Sequence, residues 1–280
     1  MIGWLLLIWT FGILVVASMS DIRTREVADE ISIIFIAGAL ALRLVGAFTV
    51  SSSFFLHAVI AGIFFGLVGL VFYVFKQWGG ADFLLITGLG FAFGTLPAEF
   101  PNQISPLYPF AITLLINLLF IGAVYGIIWI IWLILKTPNL FAKFLKTNAI
   151  FLAVSAFLFL ISRWFTPVIF LATAVLLWMA LQAAKIVENS VFVRKIRLSQ
   201  LREEDWLVDD IKIRGKILIS ANSPGVTKAD LEAVKPFLNQ GILVKIKEGV
   251  PFVPVFPLAL AFTLLFGDFL LLIFKYLSFF

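Results

Sequence analysis

The chain has 280 residues, is 62% hydrophobic and only 13% charged, and carries a net charge of +5; a soluble domain would be about half apolar and about a quarter charged. It has no cysteine, which excludes disulfides, thiolate metal sites and a cysteine nucleophile, and a single histidine, His57, which argues against a Ser-His-Asp triad or a multi-histidine zinc site. Apolar runs long enough to span a bilayer recur along the chain, so the composition reads as a polytopic helical membrane protein.

The first apolar run, residues 2–20, lacks an upstream basic region and a small-residue cleavage site, and is read as a retained transmembrane helix. It ends in a charged loop, residues 21–30. Further helices are expected over residues 31–50, with Arg43 snorkelling to an interface, over 54–75, from Asp82 to about Gly94, and over 109–135. Residues 136–148 carry Lys136, Lys143 and Lys146 among apolar side chains and read as a basic piece on the membrane surface. Two apolar stretches, 149–162 and 167–184, split by Arg163-Trp164, read as an additional membrane hairpin.

Polarity rises sharply over residues 185–249, the expected soluble α+β domain. Alternation over 211–220 and 242–247 marks strands, Asn222-Ser-Pro-Gly225 a turn, and Thr227 with Asp230 a capping box that opens a helix to about Leu238. Residues 250–280 form the expected last transmembrane helix, with Pro251, Pro254 and Pro257 in its lead-in. Four parts follow: a five-helix membrane core over 1–135, the basic segment and hairpin over 136–184, the soluble domain over 185–249, and the final helix over 250–280. Together they predict a six-helix core, an extra hairpin (about eight membrane segments) and a small α+β domain. Lysine and arginine concentrate on one set of loops, which places the N-terminus outside and the soluble domain in the cytoplasm.

Two aspartates stand out against this background. Asp21 closes the first apolar run, and Asp82 closes Gly79-Gly-Ala-Asp82 and opens another. A carboxylate at the centre of a bilayer helix costs roughly 3 kcal/mol, so membrane carboxylates tend to be functional. Two of them a few ångströms apart cannot both ionise easily. One takes a proton from an attacking water while the other, protonated, hydrogen-bonds the carbonyl under attack. Gly79 and Gly80 allow the tight turn and close substrate approach such a site needs. The bland readings are a topology-setting turn for Asp21 and a helix N-cap for Asp82.

Asp21-Ile-Arg-Thr-Arg-Glu-Val, Gly79-Gly-Ala-Asp-Phe-Leu-Leu-Ile-Thr-Gly-Leu-Gly90 and the proline-rich Gly249-Val-Pro-Phe-Val-Pro-Val-Phe-Pro resemble the type IV prepilin peptidases, and more closely their archaeal preflagellin (archaellin) peptidase relatives. The resemblance implies a GxGD-type membrane aspartic endopeptidase that removes the basic leader of pilin-like or archaellin precursors, with Asp21 and Asp82 as the catalytic pair and no metal or cofactor. Ala81 departs from the strict motif. The tetracysteine region of many bacterial enzymes is absent, so no metal site or N-methyltransferase activity is expected. Gly79, Gly80, Ala81, Glu26, Asp29, Pro251 and Pro254 are candidates for the substrate-facing loops. Expected partners are such precursors and the lipid bilayer, not nucleic acid. The alternatives are a proton- or cation-coupled secondary transporter using the membrane carboxylates and a membrane scaffold whose cytoplasmic domain docks a partner.

Overall fold

The computed structural model describes residues 1–97, 99–100, 109–162, 168–213, 215–223, 225–247 and 249–277; Arg163, Trp164, Arg214 and Pro224, used above, lie outside the described residues. Ten α-helices are described: α1 (Ile2–Thr24), α2 (Asp29–Thr49), α3 (Ser52–Val74), α4 (Gly80–Phe93), α5 (Phe110–Lys136), α6 (Pro138–Ile161), α7 (Val168–Val187), α8 (Lys228–Val234), α9 (Val255–Phe266) and α10 (Phe269–Leu277). α1, α2, α3, α5, α6 and the stretch Ala174–Phe192 are each long and apolar enough to cross a bilayer. The protein is therefore a mostly helical, multi-pass membrane protein with a small strand-containing region toward its C-terminus. The chain divides into two compact units, residues 1–123 with 249–280, and residues 124–248.

In the first unit α1, α2, α3 and α4 are joined by short links, so successive helices reverse direction. The end of α1, the start of α2, the end of α3 and the start of α4 consequently share one end of the bundle. α4 and α9 are apolar but have only 14 and 12 residues, about 21 and 18 Å of helix against a hydrocarbon core of roughly 30 Å. A helix that stops short inside lipid leaves carbonyls without water, and each must find a partner in the protein.

Arg43 supplies that partner for α4. The sequence suggested an interfacial, snorkelling side chain; the structure buries it completely. Its guanidinium donates to the Ala92 carbonyl (2.6 Å from Nη2), to the Thr95 carbonyl (2.6 Å) and to Thr95 Oγ1 (3.0 Å), and lies 4.1 Å from the centre of the Phe54 ring. A cation at a helix C-terminus meets both the open carbonyls and the negative end of the dipole. Backbone approach explains the glycines of α4: a Cβ on Gly90 would stand 2.9 Å from the Ala61 carbonyl and 2.7 Å from Phe65 Cβ, and one on Gly88 would stand 2.5 Å from the Phe35 ring. Small residues at such positions let helices in a membrane approach closely.

The last apolar segment is not one helix. It breaks at Gly267, whose φ of 75° lies in the left-handed region, and α10 starts afresh beyond Asp268. Asn117 of α5 splints the break: its amide nitrogen donates to the Gly267 carbonyl (2.7 Å) and Thr263 Oγ1 (2.9 Å), and its oxygen accepts from the Phe269 N–H (3.1 Å). Asp268 caps α10 by accepting from the Leu270 and Leu271 amides.

In the second unit α6 and α7 pack as a hairpin. The basic stretch 136–148 is not a separate surface element: α6 starts with Pro138 in its first turn and runs unbroken through Lys143 and Lys146 to Ile161. Proline suits that position because its missing N–H is unpaired there anyway. Beyond α7, β1 (Val193–Arg197), β5 (Leu243–Lys247) and β2 (Trp206–Leu207) form an antiparallel sheet in that order, and β3 (Ile211–Ile213) pairs with β4 (Lys216–Ile219). The expected continuous strand over 211–220 is thus a hairpin turning at Gly215, φ 79°. Leu198, Ile211, Ile219, Val226, Val234, Val244 and Ile246 make its core. Thr227 and Asp230 form the expected capping box, but the helix they open tightens into a 3-10 turn at Lys235, because Pro236 has no N–H to continue the α-helix.

Arg43→Met strands the Ala92 and Thr95 carbonyls in an apolar interior and is expected to lower stability by about 3 kcal/mol, read from thermal or denaturant unfolding in detergent. Gly90→Ala, which forces α3 and α4 apart, is expected to lower it by roughly 1–3 kcal/mol in the same assay.

Candidate active site

Asp21 lies in the last turn of α1 and is 8% exposed. Its Oδ2 accepts a hydrogen bond from the Val253 amide at 2.9 Å. That amide is available for a local reason. Val253 sits in a turn where the Phe252 and Val253 carbonyls accept from the Val255 and Phe256 amides, while Pro254 and Pro257 contribute no N–H. The turn therefore directs the Val253 N–H outward to a partner on α1. Pro251 is buried and Pro254 is the N-cap of α9.

Asp82 is the third residue of α4, not its N-cap: its Oδ2 accepts from the Gly79 amide at 3.0 Å. This is the acidic half of a capping box, with Gly79 at the cap. An acidic side chain in the first turn also complements the helix dipole. Gly80 is buried, and Gly79 and Ala81 are half-buried.

The two aspartates are tied to one turn. Trp78, immediately before Gly79, is 6% exposed; it stacks on Phe72 with ring centres 4.5 Å apart and meets Phe252 at 5.6 Å and Phe256 at 6.3 Å. The aromatic cluster thus joins the Gly79–Asp82 loop to residues 252–256, and Val253 in that turn holds Asp21. α1 packs against both α4 and α9. Gly122 of α5 leaves room for Phe252, whose ring a Cβ there would meet at 2.8 Å.

Arg25 makes a second tie between α1 and this turn. It follows α1 in the left-handed conformation (φ 62°, ψ 22°), its amide donating to the Asp21 carbonyl. Its guanidinium donates to the Gly249 carbonyl at 2.9 Å. Glycine or asparagine usually takes that backbone position, and another residue there costs about 1 kcal/mol. Lys76, six residues before Asp82, has φ 56°. Two of the three described non-glycine residues with positive φ, Arg25 and Lys76, thus precede or follow an aspartate by no more than six residues, the third being Glu204.

Of the loop candidates, Glu26 is exposed and its carbonyl accepts from Ser20 Oγ and Thr24 Oγ1. Asp29 is exposed at the start of α2. The spacing of 53 residues that pairs Phe35 with Gly88 also separates Asp29 from Asp82. Because α2 and α4 run parallel, Asp29 stands at the level of Asp82. Sequence reasoning passed over Trp78 and Val253 and read Arg25 as a topology determinant. A tryptophan directly before Gly-Gly, and an arginine one turn after the aspartate, were the available signals. Among the described residues no three His, Asp or Glu side chains converge as a metal site would require.

In a multi-pass helical protein, carboxylates in the last turn of α1 and the first turn of α4 mark a candidate functional site. The model of the type IV leader peptidase family matches residues 8–131, and over that segment the chain is similar to this family of proteases. Searches of curated proteins and of solved structures returned no match.

Trp78→Ala, which empties the space between the Gly79–Asp82 loop and residues 252–256, is expected to lower stability by about 3 kcal/mol. Trp78→Phe should recover at least half of that loss in the same unfolding measurement.

Proposed function

We propose that the chain is an aspartic endopeptidase that removes the basic leader of pilin-like or archaellin precursors at the cytoplasmic face of the membrane. The observation that carries this reading is the common seat of Asp21 and Asp82. They come from different helices at one end of the bundle, both in the segment that matches the leader peptidase family; Asp21 accepts from Val253, and the loop leading to Asp82 starts at Trp78, whose ring meets Phe252. Asp21 and Asp82 act as the pair. One carboxylate accepts a proton from water as its oxygen attacks the scissile carbonyl; the other, protonated, donates a hydrogen bond to the carbonyl oxygen. The tetrahedral intermediate then collapses as the leaving amine receives a proton from the pair, and a new carboxylate is released.

The shared end of α1, α2, α3 and α4 is read as the cytoplasmic end, with the N-terminus outside; the positive-inside distribution of lysine and arginine supports this and, separately, a cytoplasmic location for residues 185–249. A substrate helix lies among the membrane helices with its basic leader outside the hydrocarbon. Exposed Glu26, Asp29 and Glu30 at that end favour the leader's positive charge. Gly79, Gly80, Ala81, Pro251 and Pro254 line the approach of the extended scissile segment. The chemistry uses no metal or cofactor.

A broken membrane helix with buried polar residues, as at Asn117, Gly267 and Asp268, is also a transporter feature. Proton-coupled flux in proteoliposomes that survives loss of all peptidase activity would favour that reading. For the protease, Asp21→Asn and Asp82→Asn are each expected to reduce leader removal by at least 10³-fold while leaving insertion and unfolding temperature near wild type. N-terminal sequencing of products from archaellin and pilin precursors measures both cleavage and substrate choice; undiminished cleavage by either variant would sink the pair.

A further inference from the structure

We infer that Arg25 is a positioning residue for the reaction: with the Val253 amide it clamps residues 249–253 to the end of α1 and so sets where the Asp21 carboxylate stands. The inference rests on the aspartate-pair reading above and adds a group to it that does not touch substrate.

The clamp is a closed ring of contacts. Arg25 Nη1 donates to the Gly249 carbonyl (2.9 Å), the chain runs from Gly249 to Val253, the Val253 amide donates to Asp21 Oδ2 (2.9 Å), and the Arg25 amide donates to the Asp21 carbonyl (2.9 Å). The two side chains are four residues apart on one strand of the ring, and their backbone partners are four residues apart on the other. In such a ring the Asp21 carboxylate cannot shift without moving Gly249 or Arg25. With Arg25 removed, the segment loses its side-chain tie at Gly249 and keeps the Val253–Asp21 contact and the packing of Phe252 on Trp78, so the carboxylate is positioned from one end of the segment instead of both.

Two features separate this role from the bland one, a cation that merely sets topology. First, a topology-setting arginine needs only to lie on the right side of the membrane, whereas Arg25 reaches a specific carbonyl 224 positions away. Second, its backbone is left-handed at a place where glycine would sit without strain. The side chain is retained there against local backbone preference, as expected where position serves function. The exposed guanidinium contributes little to stability, so its effect falls on geometry. Misplacing a reacting group by about an ångström lowers turnover by about 100-fold without weakening substrate binding in proportion.

The test uses the full chain, purified in detergent, with a precursor bearing a basic leader and hydrophobic helix. Arg25→Gly is expected to lower kcat by about 10- to 100-fold, leave KM within about twofold, and leave the unfolding temperature at or above wild type because the left-handed strain is relieved. Arg25→Lys, which keeps the charge and can reach Gly249, should recover part of the lost kcat. A wild-type kcat for Arg25→Gly, or a loss that follows lowered stability of the inserted protein, overturns the clamp. If Arg25→Gly inserts poorly, Val253→Pro, which deletes the amide donated to Asp21, must show the same selective loss of kcat; wild-type turnover there also overturns it. Asp21→Asn run in parallel separates the two ideas. An inactive Asp21→Asn with a fully active Arg25→Gly removes only the clamp, while an active Asp21→Asn removes the aspartate pair beneath it.

Discussion

A bilayer offers no water to a helix end that stops within it, and the first unit is organised around that constraint. α4 is too short to span and α9 is shorter still, so their backbone ends need protein partners at depth. Arg43 closes the C-terminus of α4, the Asp82 carboxylate engages the Gly79 amide at its N-terminus, and Asn117 bridges the break after α9. These three side chains come from α2, α4 and α5. Satisfying short helices therefore also joins elements distant in the chain.

The same constraint explains how carboxylates come to stand at one end of this bundle. Asp82 serves as a cap, and Asp21 receives an amide that the prolines of the last lead-in leave unused by α9. Each carboxylate thus accepts a backbone N–H through one oxygen, which orients the group and offsets part of its cost of burial. A capping role and a chemical role are compatible, since a group held by one oxygen presents the other in a defined direction. The aromatic seat at Trp78, Phe252 and Phe256 carries no charge, but it gives the two loops a shared, close-packed reference.

Much of this was legible beforehand. The apolar segments, the strand-containing region and the Thr227–Asp230 box all follow from local pattern. The failures share a cause. Lys143 and Lys146 suggested a surface segment because charge was weighed residue by residue, whereas α6 tolerates both in a continuous helix. The final segment looked unbroken because Gly267-Asp268 is a weak local stop; its break is held open by Asn117, 150 residues away. Arg43 looked interfacial because a lone arginine in a membrane helix has no partner visible in its own neighbourhood, and its partners are carbonyls, which any sequence possesses.

The sequence alone determined that this is a polytopic membrane protein and singled out Asp21 and Asp82, because membrane burial makes apolar length and stray carboxylates conspicuous. The order and wording of the surrounding motifs also pointed to the leader peptidases. Only the tertiary structure decided what holds those aspartates: the Val253 amide, the Gly79 amide, the Trp78 seat and the reach of Arg25 to Gly249. Those contacts depend on backbone groups and on packing between helices distant in the chain. A backbone amide is the same at every residue except proline, so no residue-type pattern can say which one a carboxylate will meet.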